Sequence, residues 1–145
     1  MTPAKGDPDR VEVDEQGLQI LDTEACVALL GSVSLGRIAL TYRALPVILP
    51  VAFALKNGDV LFGVGKGALA KAADSRQIVC FQIDHLDAGA GEAWSVCAVG
   101  QLSVLSTRQE IDEAERLDLG QWSPLSRRFV RLVPEIFTGR SSRVL

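Results

Sequence analysis

A chain of 145 residues, 48% of them hydrophobic, is long enough to bury one sizeable core and too short for two. A net charge of −3 leaves no basic footprint for nucleic acid, and no apolar run is long and unbroken enough to cross a bilayer. One soluble domain without nucleic-acid or membrane partners is expected.

Residues Met1 to Gly17 are rich in Pro, Gly and charge and lack the apolar stretch of a secretion signal, so they read as a solvated tail. This places the chain in the cytoplasm and its folded domain at 18–145. A short helix is expected from Asp22, whose carboxylate can accept from first-turn amides, with Cys26, Leu29, Leu30 and Val33 on one face and Gly31 and Gly36 bracketing its exit. Arg37 to Tyr42 alternates Ile38, Leu40 and Tyr42 against Arg37, Ala39 and Thr41, the pattern of a half-buried strand.

Beyond a tight turn at Arg43-Ala44, the run Leu45 to Lys56 is apolar on both faces. Such a strand must be covered twice, by a barrel interior and by a helix or second subunit, which implies a homodimer. Pro46 and Pro50 restrict it to a strand start, an edge or a bulge. Asn57-Gly58 fits a type I′ hairpin turn returning through Val60 to Val64.

A glycine-rich loop follows, Gly63-Val64-Gly65-Lys66-Gly67, then a short helix over Ala68 to Arg76 and a strand over Gln77 to Asp84. After a flexible Ala88 to Gly91, a strand from Trp94 to Ser106 contains Gly100, read as a bend or close backbone approach. Thr107 and Glu110 match a capping box opening a helix through Leu117, and a loop at Gly120 to Pro124 leads to a last strand, Arg127 to Val133. Six strands and three short helices without βαβ alternation describe a mainly β fold, a Greek-key or split antiparallel β-barrel.

The side-chain chemistry narrows the function by exclusion. His85 is the single histidine, so a histidine metal cluster is impossible, and a serine triad would lack a nucleophile-elbow motif. Cys26, Cys80 and Cys97 have no metal-ligand spacing and read as small buried hydrophobes. Asp84 and Asp87 close a strand and read as turn-bonding carboxylates, and no catalytic acid or base stands out. Arg127, Arg128, Arg131, Arg140 and Arg143 either line an anion site or face solvent. The glycine-rich loop lacks the spacing of a nucleoside-triphosphate loop. It either turns the chain or offers free amides, with Lys66 and Lys71 nearby, to a phosphate ester.

The order of Gly36-Arg37, Pro50-Val51-Ala52-Phe53, Asn57-Gly58-Asp59, Val79-Cys80-Phe81-Gln82-Ile83-Asp84, Trp94-Ser95-Val96 with Gly100, and Arg131-Leu132-Val133-Pro134 leading to Thr138-Gly139-Arg140 resembles the pyridoxamine 5′-phosphate oxidase-like family of flavin-binding split barrels, in particular its small actinobacterial type. The resemblance covers roughly Leu21 to Arg140. It implies a homodimeric split barrel of the FMN-binding type and an oxidoreductase acting on a small organic substrate. FMN would lie at the subunit interface, its ring near Leu49, Pro50 and Val51 and its phosphate near Gly63, Val64, Gly65, Lys66, Leu69 and Lys71. Trp94 either packs near the site or anchors the barrel, and Trp122 reads as a loop anchor. This chain departs from its relatives in having Gly63-Val64 where Arg-Thr or Tyr-Thr is common, and Leu69 in place of a lysine. Each change removes a charge-assisted donor of about 1.5–3 kcal/mol. A cofactor-less binding or regulatory protein, a deazaflavin-dependent reductase and, through His85, a haem protein are the alternatives.

Overall fold

The computed structural model describes residues 11–117, 119 and 128–142. Its strands are β1 (Gln19–Ile20), β2 (Leu35–Tyr42), β3 (Leu45–Ala52), β4 (Ala54–Lys56), β5 (Asp59–Val64), β6 (Ile78–Asp87), β7 (Glu92–Val104) and β8 (Arg128–Ser141). Three helices intervene: α1 (Thr23–Leu30), α2 (Ala68–Asp74) and α3 (Arg108–Glu115). All pairings are antiparallel in the order β3-β2-β6-β7-β8-β5-β4, with β1 added to β8. β3 and β4 lie at opposite ends of that order yet are joined through Phe53 alone, so the sheet curls round on itself into a barrel.

Eight strands replace the expected six for two reasons. The run Leu45 to Lys56 pairs first with β2 and then with β5, changing partner at Phe53, whose ring packs edge-on against Phe81 at 4.8 Å. The residues read as tail also contribute, through a hairpin in which Val13 bridges Gln19 and the Asp14 carboxylate accepts from the Gln16 and Leu18 amides. The expected boundary at 17–18 falls inside this hairpin, which the Arg140–Asp14 ion pair at 3.0 Å fastens to β8.

Local chemistry accounts for the element ends. Asp22 Oδ1 accepts from the Ala25 N–H at 2.8 Å and starts α1, and Asn57 (φ 52°) and Gly58 (φ 83°) form the left-handed pair between β4 and β5. Thr107 caps α3 through the Glu110 N–H, but the capping box is half made, because the Glu110 carboxylate turns to Arg131 at 2.9 Å. β8 runs well past the expected Val133. It continues because Pro134 sits at a register shift opposite Gly100, where the missing ladder donor costs little. A Cβ on Gly100 would stand 2.0 Å from the Val133 carbonyl oxygen, so the close approach expected there is real.

The barrel interior is filled by Ile38, Phe62, Phe81, Ile83, Leu102 and Leu132. A second, small cluster of Leu61, Leu105, Ala114 and Leu119 seats α3 on the outside of β5. Register places Ile48, Ala39, Cys80, Val99 and Ile136 side by side on the outer face, an apolar row crossing five strands. Ile48 and Ile136 are 68% and 58% exposed, and no helix among the described residues covers them.

Candidate functional site

The glycine-rich loop leaves the barrel at the end of β5. Val64 points inward and is buried among core residues, whereas Gly63 lies opposite Phe129 on the outer face. Gly67 has φ 120° and ψ −156°, a conformation reserved for glycine, and α2 starts without a side-chain cap. With seven residues α2 has little dipole, so the loop offers mainly its uncapped amides and the exposed Lys66. The Val64 side chain is committed to the core, and only its main chain faces the loop. Leu69 is half-buried and packs against the core, as do Val47 and Leu49 of β3.

β3 is an edge strand on its Leu45–Ala52 stretch, paired with β2 alone. The Phe53 N–H donates to the Ser34 carbonyl at 3.0 Å, which sets the odd-numbered residues of β3 as those bonded to β2. Pro46, Ile48 and Pro50 then direct their main-chain groups to the open edge, and the prolines fall where no ladder donor is needed. Leu49 and Val51 turn their side chains inward, with Val51 buried and Pro50 exposed.

The strand-borne cations among the described residues are matched. Arg37, Lys56, Arg128, Arg131 and Arg140 pair with Asp84, Glu113, Asp74, Glu110 and Asp14. Three of the C-terminal arginines are therefore held by carboxylates and do not form an anion site, while Arg127, Arg143 and Trp122 lie outside the described residues. Arg43, Lys66 and Lys71 have no carboxylate partner. Lys71 Nζ approaches the Tyr42 hydroxyl at 3.4 Å, and the Arg43 guanidinium carbon lies 5.0 Å from the Tyr42 ring centre. Arg76 after α2 and Arg108 and Arg116 at α3 are likewise without an ion pair among the described residues, so the unmatched charge is shared between α3 and the region of the loop, α2 and the β2–β3 turn. Sequence reasoning missed Tyr42 and Arg43, although two non-glycine residues in a two-residue turn were an available anomaly.

Other sequence-singled residues stand apart. Trp94 is buried at the far end of β7, eight residues from Leu102, which bonds the Gln77 carbonyl beside α2; at ~3.4 Å per residue that separation is roughly 27 Å. His85 is exposed and lies 6.0 Å from the Trp94 ring. Asp87 accepts from the Ala90 N–H and turns the β6–β7 hairpin. Burial and the adjoining Cys97 push the Cys80 thiol up to about 11, and burial raises that of Cys26, so both remain neutral small side chains. No group of three or more His, Cys, Asp or Glu among the described residues is placed to hold a metal ion. A cleft of about 80 Å³ between α3 and the β4–β5 hairpin, lined by Lys56, Asp59, Glu110 and Arg131, is too small for a nucleotide.

The model of the pyridoxamine 5′-phosphate oxidase family matches residues 22–141. The chain belongs to that family. It is 32% identical over 125 residues to an uncharacterised protein of Mycobacterium tuberculosis, covering 82% of each chain. Among solved structures it resembles an FAD-binding protein from Mycobacterium smegmatis, with 33% identity, a TM-score of 0.69 and coverage of 86% of this chain and 99% of the other. An FAD-binding protein from Mesorhizobium loti, 19% identical, superimposes with a TM-score of 0.76 over 87% of this chain and 99% of its own. That likeness shows the fold, a split barrel. Gly63, Val64 and Leu69 bring no polar side chain to the loop, and Arg43, Lys66 and Lys71 have no ion pair among the described residues.

Proposed function

We propose that this member of the family is a homodimeric flavin-dependent oxidoreductase acting on a small organic substrate, with FMN as the unit its site accommodates. One observation carries the reading: on a barrel whose other strand-borne cations are neutralised, Lys66 and Lys71 stand without carboxylates beside the uncapped loop Gly63 to Gly67. These groups suit a phosphate ester, which a charged lysine and main-chain amides can bind without the missing arginine and threonine donors. The flavin ring would lie along β3 at Leu49, Pro50 and Val51, where a polar ring edge meets the main chain of Ile48 and Pro50.

The second subunit follows from the apolar row of Ile48, Ala39, Cys80, Val99 and Ile136. Packing two such faces together removes them from water and shelters the neighbouring edge of β3. When bound, the flavin supplies the hydride or electron chemistry. The protein's share is to hold the phosphate by Lys66, Lys71 and the loop amides, to orient the ring on β3, and to exclude water by the subunit seam.

Purification followed by titration with FMN tests the proposal. Bound flavin with quenched fluorescence, in a particle of twice the chain mass by light scattering, is expected. A colourless monomer that leaves flavin fluorescence unchanged would overturn it, and would point instead to a barrel retained for binding or regulation.

A further inference from the structure

We propose that Cys80 and Cys97 form a reversible dithiol–disulfide couple, a modification site on the outer face of the sheet that exchanges with small organic disulfides. The inference stands apart from the flavin reading. Register brings the two residues together: Cys80 lies opposite Val99 and Cys97 opposite Gln82, so the cysteines are diagonal neighbours on β6 and β7 and share one face. Both are free and half-buried, whereas Cys26 is fully buried, with its Sγ 2.7 Å from where a Cβ on Gly139 would stand. No third ligand joins the pair to make a metal site among the described residues.

The surroundings of the two thiols divide the work between them. Cys80 sits in the apolar row beside Ala39 and Val99, and burial together with Cys97 keeps its proton in place at neutral pH. Cys97 lies one row along, between Gln82 and the exposed Thr138 and in line with Arg37, so it is the sulfur that a reagent from solvent meets first. As a thiolate, Cys97 attacks one sulfur of the organic disulfide, forms a mixed disulfide and releases one thiolate, which takes up the proton that Cys97 gave up. Cys80 then loses its proton and displaces the second organic thiol. Two protein thiols and one organic disulfide thus become one protein disulfide and two organic thiols, with no other reactant. Diagonal neighbours stand about 7–8 Å apart, beyond the roughly 4.4–6.8 Å of relaxed bridges, so closure pulls β6 against β7. Strain of that kind makes the bridge easy to reduce, as a regulatory rather than a structural disulfide.

Incubation of the full chain with excess oxidised glutathione at about pH 8, followed by thiol titration, intact mass and peptide mapping, tests the couple. Two of the three free thiols should disappear with a loss of about 2 Da, the map should join the peptides of Cys80 and Cys97, and dithiothreitol should restore both thiols. Cys80→Ser should leave Cys97 as a stable glutathione adduct, Cys97→Ser should stay unmodified, and Cys26→Ala should behave as wild type. The map of the unaltered chain gives the decisive result even where a variant fails to fold. Three thiols that still titrate at unchanged mass, a wild-type glutathione adduct that never resolves, or a bond that joins two chains instead of two strands would each overturn the inference, and none of these outcomes bears on flavin binding.

Discussion

The carboxamide of Gln77 closes a two-bond ring with the backbone of Thr41, accepting its N–H at 2.8 Å and donating to its carbonyl at 2.9 Å. The register of β2 against β6 runs through Arg37–Gln82 and Ala39–Cys80, so the next rung would join Thr41 to Ile78. The Gln77 side chain supplies the two hydrogen bonds at that end of the ladder while its main chain turns out of α2. This fixes the end of β2, and with it the Tyr42-Arg43 turn. Gln77→Ala should lower stability by about 1–2 kcal/mol, the worth of two neutral, half-exposed hydrogen bonds. A urea midpoint unchanged from wild type would show that the ring is incidental.

Two strained positions lie near this ring and differ in what their side chains contribute. Ala44 (φ 62°) presents only a methyl group. Arg76 (φ 53°) ends α2 in a Schellman arrangement, where its N–H bonds the Ala73 carbonyl and that of Gln77 bonds Ala72. Glycine removes the steric cost of about 1–2 kcal/mol at each, offset in part by about 0.5–1 kcal/mol of extra unfolded-state entropy. Ala44→Gly and Arg76→Gly should each raise stability by about 0.5–1 kcal/mol at constant denaturant slope. The same change at Ala98, in the core of β7, should lower it.

Gly100 is the converse case. A Cβ there would meet the backbone of Val133 at 2.0 Å and 2.7 Å, and backbone paired in a ladder cannot step aside. Gly100→Ala should cost more than about 3 kcal/mol or leave the protein insoluble, through loss of the bulge that lets β8 continue past Pro134. Gly89→Ala, whose added carbon would come only within 3.5 Å of the flexible Asp87 carboxylate, should be nearly silent. Comparable expression and melting of both variants would refute the assignment of Gly100 to a closely packed crossing.

How far these features were legible in the sequence depends on the range of the interaction. The Asp22 cap, the Asn57-Gly58 turn and the inward Ile38 and Leu40 depend on neighbours within a few residues, and local pattern revealed them. The partner change at Phe53 could not be read, because alternation through Val51, Phe53 and Leu55 is the same whichever strand lies alongside. β8 was cut short for a related reason: Pro134 and Gly139 look like breakers until Gly100 and Cys26 are seen to face them. At the site, the loop was visible from its glycines. Arg140 meets Asp14 from 126 residues away, and Lys71 meets Tyr42 from 29, so neither which arginines are neutralised nor which cations remain was open to inspection of the chain.

The carboxylates divide into two classes with opposite dependence on pH. Hydrogen bonding from Arg128 holds Asp74 below its ordinary 3.8, and Lys56 holds Glu113 below 4.5. Depressed acids of this kind stabilise the fold above those values, and their contribution is lost as pH falls through the lower, folded values. Asp59 behaves the other way. Burial beside the α3 cleft raises it above 3.8, with Arg131 offsetting part of the effect. The folded state therefore binds that proton more tightly than the unfolded chain, and stability falls as pH rises from 3.8 through the folded value. Asp59→Asn keeps the shape and removes the buried charge. It should stabilise the protein at about pH 7, and the gain should shrink towards zero as pH is lowered to about 3, where both states of the wild type carry a protonated Asp59. A gain that is independent of pH, or a loss at about pH 7, would mean that Asp59 is paired with Arg131 more strongly than it is desolvated.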